Sequence, residues 1–203
     1  LLPTGTCLIL ITPDSERTMC TFLGTAGKIN KNDLDVDTIK ESDLIFLEGY
    51  LWDEGDPKEA FEKAINLSNK TAMSLSDKFC VDRHKSNFLD LVKNKLDLIF
   101  ANEAEIMSLI DAKKFDEVIL FGKQIKKHLI ITRGGKGAVS INNNEIVEID
   151  AKKDLNIVDL TGAGDLFASG YLHGFINNFS QRGCLEKATE MSSKIIQKIG
   201  ARL

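Results

Sequence analysis

Val158-Asp159-Leu160-Thr161-Gly162-Ala163-Gly164-Asp165-Leu166-Phe167, followed by the helical run Ala168 to Phe175, is the stretch from which the rest of the chain can be read. Gly162 and Gly164 carry no side chain, so backbone amides there can approach a ligand closely. The helix that starts at the same place turns the positive end of its dipole towards that ligand, which makes the segment an anion site. Asp165 falls in the first helical turn, where a carboxylate is electrostatically favoured, so it is expected to be ionised and able to accept a proton. A carboxylate beside an anion hole is what phosphoryl transfer to an alcohol needs: one group takes the hydroxyl proton while amides stabilise charge on the transferring phosphoryl. The plainer alternative is that Asp165 supports the helix N-terminus and the glycines turn the chain. An isolated G-x-G-D does not separate the two. The segment is not a Walker loop, since no Gly-Lys-Ser/Thr follows, and it is not the G-x-G-x-x-G dinucleotide fingerprint.

Upstream of this segment, short apolar runs alternate with helix-period stretches. Asp43 to Leu47, Thr71 to Leu75, Leu96 to Phe100 and Leu129 to Thr132 read as buried strands. Lys58 to Asn69 repeats its apolar residues at helical spacing, with Asp56 as the expected cap and Pro57 at the first position. Asp82 to Lys95, Asn102 to Ile110 and Phe115 to Lys126 read as further helices, and the chain closes with two more, Ala163 to Asn178 and Gly183 to Ile199. Such alternation implies parallel βαβ units and a sheet covered on both faces. Two places break it. Gly5 to Leu23 reads as two strands around Thr12-Pro13-Asp14-Ser15, and Gly137 to Ile149 reads as a hairpin, with Ala138 to Ile141 and Glu145 to Ile149 turning at Asn142-Asn143-Asn144. No repeat, low-complexity tract or linker divides the chain.

The 203 residues are 43% hydrophobic and 28% charged, which excludes a disordered or fibrous chain. With 26 Lys+Arg against 30 Asp+Glu, and the lysines scattered, no dedicated nucleic-acid surface is expected. The longest apolar stretches, such as Cys7 to Ile11, fall far short of the roughly 20 residues a membrane span needs, and the first residues show no secretory signal. Cys7, Cys20, Cys80 and Cys184 are widely spaced, as for reduced thiols in the cytoplasm, and His84, His128 and His173 have no metal-ligand spacing.

Three ordered motifs then give a resemblance. Asp159-Leu160-Thr161-Gly162-Ala163-Gly164-Asp165 resembles the D-T-x-G-A-G-D signature of the ribokinase-like (PfkB-type) carbohydrate kinase family. Asn102-Glu103-Ala104-Glu105 resembles its N-x-x-E motif, and Thr132-Arg133-Gly134-Gly135-Lys136-Gly137 its T-x-G-x-x-G turn. Thr4-Gly5-Thr6-Cys7, Arg17 after a turn, and Met73-Ser74-Leu75-Ser76 are similar to adenosine-kinase-type members and related bacterial sugar kinases.

The resemblance implies a three-layer αβα ribokinase-like fold with a mostly parallel central sheet, and an ATP-dependent kinase acting on a hydroxymethyl group of a sugar or nucleoside. Asp165 would be the catalytic base, and Gly162, Ala163 and Gly164 the anion hole for the γ-phosphoryl. Asn102 and Glu105 would organise Mg²⁺ and its waters, although a polar cap opening a helix explains that pair equally simply. Thr132, Gly134 and Gly137 would line the nucleotide phosphates, with a plain strand-to-hairpin turn as the alternative. Arg17 would reach over the phosphates or stay an exposed turn arginine, and Lys136 would contact ATP or stay solvated. Asp159 is a candidate neighbour of a monovalent cation, K⁺. Leu160 stands where the signature has Thr, which weakens any contact inferred for that side chain. Ser192, Ser193 and Ile196 would pack beside the adenine or simply in the core. Tyr50 and Trp52, after a strand end, read first as structural. A homodimer is left open.

Family chains start with Met and a section carrying the first strands, most of the lid and the residues that grip the sugar; this chain starts Leu1-Leu2-Pro3. It is therefore expected to be a C-terminal portion, with residues 1–25 the remnant of the lid and 26–203 the part of the core that carries the ATP and catalytic motifs. Two other readings follow: a nucleotide-binding fragment without activity, and a non-catalytic module on the same scaffold.

Overall fold

A computed structural model of the chain describes residues 2–52 and 55–203. Strands β1 (Thr6–Ile11) and β2 (Arg17–Phe22) form an antiparallel two-stranded sheet with Ile11 opposite Arg17. This hairpin belongs to one of two compact units, which comprises the chain up to Gly24, Arg133–Val139 and Val147–Leu203. The other unit comprises Thr25–Thr132 and Ser140–Ile146.

In the second unit, α1 (Val36–Glu41) precedes β3 (Ile45–Glu48), α2 (Asp56–Leu67), β4 (Thr71–Ser74), α3 (Lys78–Asp90), β5 (Leu98–Asn102), α4 (Glu103–Leu109), α5 (Phe115–Ile125) and β6 (His128–Thr132). The pairs β3/β4, β4/β5 and β5/β6 are parallel. Strands β7 (Ala138–Asn142) and β8 (Glu145–Ile149) complete a sheet of order β3-β4-β5-β6-β7-β8. Ala72, Met73, Ile99, Ile130 and Ile131 have no exposed surface, so successive residues of one strand, which point to opposite faces, are both covered. That is the burial a parallel sheet between helices requires, and the fold is α/β with a mostly parallel central sheet. The helices contribute Phe61, Val81, Phe88, Ile106, Leu109 and Val118 to the core. Trp52 is buried too, its ring meeting Phe61 and Phe88 edge-on.

Several boundaries differ from those the sequence suggests. The cap of α2 is Gly55, which uses no side chain, so Asp56 lies inside the first turn and Pro57 follows it. Helix α3 starts earlier than Asp82 because the Asp77 side chain accepts from the Phe79 N–H at 2.6 Å. It is interrupted at His84 and followed by a π turn over Leu91–Lys95, closed by the Leu96 N–H on the Leu91 carbonyl. That bond takes Leu96 out of β5, which starts at Leu98. The short helix α1, capped by Asp35, is absent from the sequence reading.

The first unit is built on α6 (Ala163–Ile176) and α7 (Gln181–Ile195). A Cβ on Gly170 would lie 2.8 Å from Ala188 Cα, so its absence lets the two helices approach closely around the fully buried Tyr171, Leu185 and Ala188. Helix α7 opens at Ser180, whose hydroxyl accepts from the Gly183 N–H. It stops before Ile199 because the Ile196 carbonyl is taken by the N–H groups of Val158 and Asp159. Among the described residues no helix is long and apolar enough to cross a membrane.

Candidate active site

The N-terminus of α6 is held open. Gly162, its cap residue, sits in the left-handed region (φ 76°) that L side chains avoid, and no side chain caps the helix. The Ala163 N–H turns back to the Leu160 carbonyl at 3.2 Å, whereas those of Gly164 and Asp165 donate to no group among the described residues. A Cβ added to Gly164 would meet nothing within 4 Å, so the space beside its Cα is open. Asp165, one residue on, is exposed, and its carboxylate makes no hydrogen bond or ion pair among the described residues. It is thus not spent on capping.

Asp159, by contrast, is 1% exposed. Its Oδ1 accepts from the Thr161 N–H at 2.8 Å and the Thr161 hydroxyl at 2.6 Å, and its Oδ2 from the Gly200 N–H at 2.8 Å. Burial pushes its pKa up, but these donors, helped by the Arg17 charge, hold it below the ordinary carboxylate value. Arg17 therefore lies within electrostatic reach of the loop. It is the first residue of β2 rather than a turn residue, and the preceding turn is tied to the same segment by Ser15 Oγ donating to the Ile157 carbonyl at 3.0 Å.

The glycine turn after β6 has two kinds of glycine. At Gly137 (φ 90°) a Cβ would fall 1.9 Å from the Ile149 carbonyl oxygen, so this position admits no side chain. At Gly134 and Gly135 a Cβ would meet nothing within 4 Å, so their backbone is open to a ligand. Lys136 lines a cavity of about 420 Å³ together with Asp150, Lys152 and Arg182.

In the second unit, Asn102 and Glu105 form a complete capping box at the start of α4. Asn102 Oδ1 accepts from the Glu105 N–H at 2.8 Å, and Glu105 accepts from the Asn102 N–H at 2.9 Å and from Asn102 Nδ2 at 2.6 Å. The capping reading and the metal reading thus concern the same two side chains. Glu105 is 4% exposed, and burial, with Asp77 and Glu48 adding to it against the opposing Asn102 amide, raises its pKa to about 7. In the parallel register Asn102 lies opposite Thr132, so the first residues of the second and third motifs sit side by side at adjacent strand ends.

Sequence reasoning missed Glu48, Asp77 and Phe79. Glu48 ends β3 and accepts from Ser76 Oγ at 2.9 Å, while Tyr50 donates from its hydroxyl to the Ser76 carbonyl. Tyr50 and Phe79 expose 52% and 77% of their surface. With Glu105 these residues gather acids and aromatic rings at the carboxyl ends of β3, β4 and β5, where open α/β sheets take their ligands. The available signal was an acid or an Asx cap closing each strand in turn.

The profile of the pfkB family carbohydrate kinases matches residues 2–203. The chain belongs to the PfkB family. Among solved structures it is similar to a probable sugar kinase protein from Rhizobium etli, with a TM-score of 0.95 and 35% identity over 98% of this chain and 62% of that one. The adenosine kinase of Sinorhizobium meliloti gives a TM-score of 0.95 and 34% identity over 99% of this chain and 63% of that one. The adenosine kinase of Schizosaccharomyces pombe is 26% identical over 84% of this chain and 56% of its own length. A more distant E. coli structure in complex with ATP and Mg²⁺, 19% identical with a TM-score of 0.85, shares the fold over 97% of this chain and 66% of that one. The PfkB chain described here thus spans a little over half the length of that curated relative and about 62% of the Rhizobium structure.

One substitution separates binding from folding at this PfkB site. Gly164→Ala should leave the protein as stable as the wild type or more stable by about 0.5–1 kcal/mol, since it replaces a helical glycine in open space. On the reading that the open amides receive a phosphate, the same methyl group would crowd it and weaken ATP binding. Thermal melting with and without ATP reads both effects, and a loss of stability without loss of ATP affinity would show that the space in front of Gly164 receives no phosphate.

Proposed function

We propose that this chain carries the nucleotide-binding and phosphoryl-transfer part of an ATP-dependent kinase whose acceptor is a hydroxymethyl group of a sugar or nucleoside. The observation that carries the reading is the unpaired, exposed carboxylate of Asp165 beside the open amides of Gly164 and Asp165. Asp165 takes the acceptor hydroxyl proton. The acceptor oxygen then forms its bond to the γ-phosphorus, the bond from that phosphorus to the β,γ-bridging oxygen breaks, and ADP leaves. The open amides of α6, with Gly162 setting their direction, stabilise the charge on the phosphoryl oxygens. Ala163 contributes its amide only on release from the Leu160 carbonyl. Thr132, Gly134 and Gly137 line the nucleotide phosphates, and Arg17 reaches over them.

Asn102 and Glu105 fit Mg²⁺ held through its waters. Among the described residues no group of three or more His, Cys, Asp or Glu is placed to hold a metal directly, and a buried carboxylate with a raised pKa is an environment that a cation relieves. Bound there, Mg²⁺ supplies neutralisation of phosphate charge. Asp159 is the candidate neighbour of K⁺. Cys7, Cys20, Cys80 and Cys184 form no disulfide among the described residues, which fits a reducing cytoplasm.

The test is conversion of ATP to ADP with adenosine, ribose, fructose and 2-keto-3-deoxygluconate as acceptors. Turnover with one of them is the expected result. A second reading is a nucleotide-binding chain without turnover of its own; ATP binding with no ADP formed on any acceptor would select it. Absence of ATP binding would leave only a non-catalytic module on this scaffold.

A further inference from the structure

Trp52, the one tryptophan of the chain, follows the short turn after β3 and is 3% exposed. Its backbone N–H donates to the Gly49 carbonyl at 3.0 Å, and its ring is held edge-on by Phe61 at 5.6 Å and Phe88 at 6.3 Å. The indole is thus fixed in place, yet its Nε1 is buried with no hydrogen-bond acceptor among the described residues. A buried N–H in that state is costly, and in native proteins each such group calls for an explanation. The same residue forms part of the wall of a cavity of about 290 Å³ between α2 and α3, at the lower limit of the roughly 300–1,000 Å³ usual for ligand sites.

The rest of the lining is balanced in charge. Helix α2 presents Lys58 and Glu62, one turn apart, and the α3 side presents Asp90 and Lys95. The ion pairs among the described residues use none of the four. Lys58 Nζ stands 5.5 Å from the centre of the Trp52 ring, and Asp90 Oδ1 accepts from Asn94 Nδ2 at 2.6 Å. Ile65, Leu91 and the indole supply the apolar part of the wall. Leu91 and Lys95 are the first and last residues of the π turn, a form that occurs mostly as single turns and frequently at functional sites. We propose that this cavity binds a small zwitterion with an apolar side chain, an α-amino acid, using none of the residues assigned to phosphoryl transfer. The ligand carboxylate gives Trp52 Nε1 the acceptor it is without and lies beside the Lys58 ammonium. The ligand ammonium goes to Glu62, and the side chain rests on Ile65 and Leu91. A ligand of one sign would meet as many like charges as opposite ones, so the lining selects both signs in one molecule.

Trp52 is its own reporter. Its fluorescence should change saturably as L-leucine is added to the whole chain without nucleotide. Acetate, n-butylamine and inorganic phosphate, each carrying charge of one sign, should leave it unchanged. Leucine should also raise the melting temperature by mass action, a readout that does not depend on the indole. Lys58 is half-buried and Glu62 exposed, so Lys58→Met and Glu62→Gln should fold; each should weaken leucine binding by about tenfold, equivalent to ~1.4 kcal/mol. Trp52→Phe keeps an aromatic ring and loses the N–H, and should abolish the melting shift. Should it not fold, the two α2 variants decide. A wild-type chain that does not respond to leucine overturns the proposal, and so does a response that both α2 variants leave unaltered, which would place leucine elsewhere. Acetate, phosphate or n-butylamine acting as well as leucine overturns it too, since the cavity would then select one charge. None of these outcomes bears on ATP binding or turnover.

Discussion

Turnover is expected to fall by about 10²- to 10⁴-fold on Asp165→Asn, with ATP affinity unchanged within about twofold. The substitution keeps the shape and removes only the charge and the proton-accepting oxygen. Because the carboxylate makes no hydrogen bond or ion pair among the described residues, nothing else in the site loses a partner. The cost to folding is limited to the favourable interaction of a negative charge with the first turn of α6, about 0.3–1 kcal/mol at an exposed position. Rate and stability therefore separate at this residue, as they do not at Asp159, where the same change breaks a buried clamp. A rate within a few-fold of wild type would remove Asp165 as the base. Equal losses of rate and ATP affinity would make it a binding group instead.

The contrast between these two aspartates shows what a sequence can and cannot carry. That Gly162 and Gly164 precede an acid in a first helical turn is local, and a helix starting from that glycine turn could be read from it directly. The buried strands could also be read, because a sheet covered on both faces leaves continuous apolar runs such as Leu129 to Thr132. What Asp159 does was not legible, since its second oxygen is answered by Gly200, far along the chain. The same holds for Glu105. Its spacing from Asn102 pointed equally to a cap or a metal site, and the neighbours that shift its pKa, Asp77 and Glu48, arrive only when β3, β4 and β5 pair in parallel. Helix ends failed for a related reason. Gly55 caps α2 through backbone conformation alone, and the π turn at Leu91–Lys95 depends on a single backbone bond that no residue type announces.

Between about pH 4.5 and 7 Glu105 should draw stability down as pH rises, against the rise contributed over nearly the same window by His128, which burial holds down at about 4, and Glu105→Gln should remove the downward part. In the unfolded chain Glu105 titrates near 4.5; in the folded protein burial, with Asp77 and Glu48 nearby, moves it to about 7. Between those values the folded state holds a proton that the unfolded state has released, so each step up in pH favours unfolding. The stabilising effect is fully present below 4.5 and is lost as pH passes through the folded value. The full difference is worth roughly 3 kcal/mol, an upper figure for one buried group. Glutamine cannot ionise, so its protein should keep only the rise from His128, and its urea midpoint should climb with pH relative to that of the wild type across this window. It also keeps one acceptor for the Asn102 N–H but turns an amide donor towards the other Asn102 group, a loss of about 1 kcal/mol at every pH. The two curves should therefore cross near pH 5: wild type more stable at pH 4, the variant more stable at pH 8. Parallel curves would mean that Glu105 titrates alike in both states, and that the acidic cluster at the strand ends is well enough solvated to carry its charge without a cation.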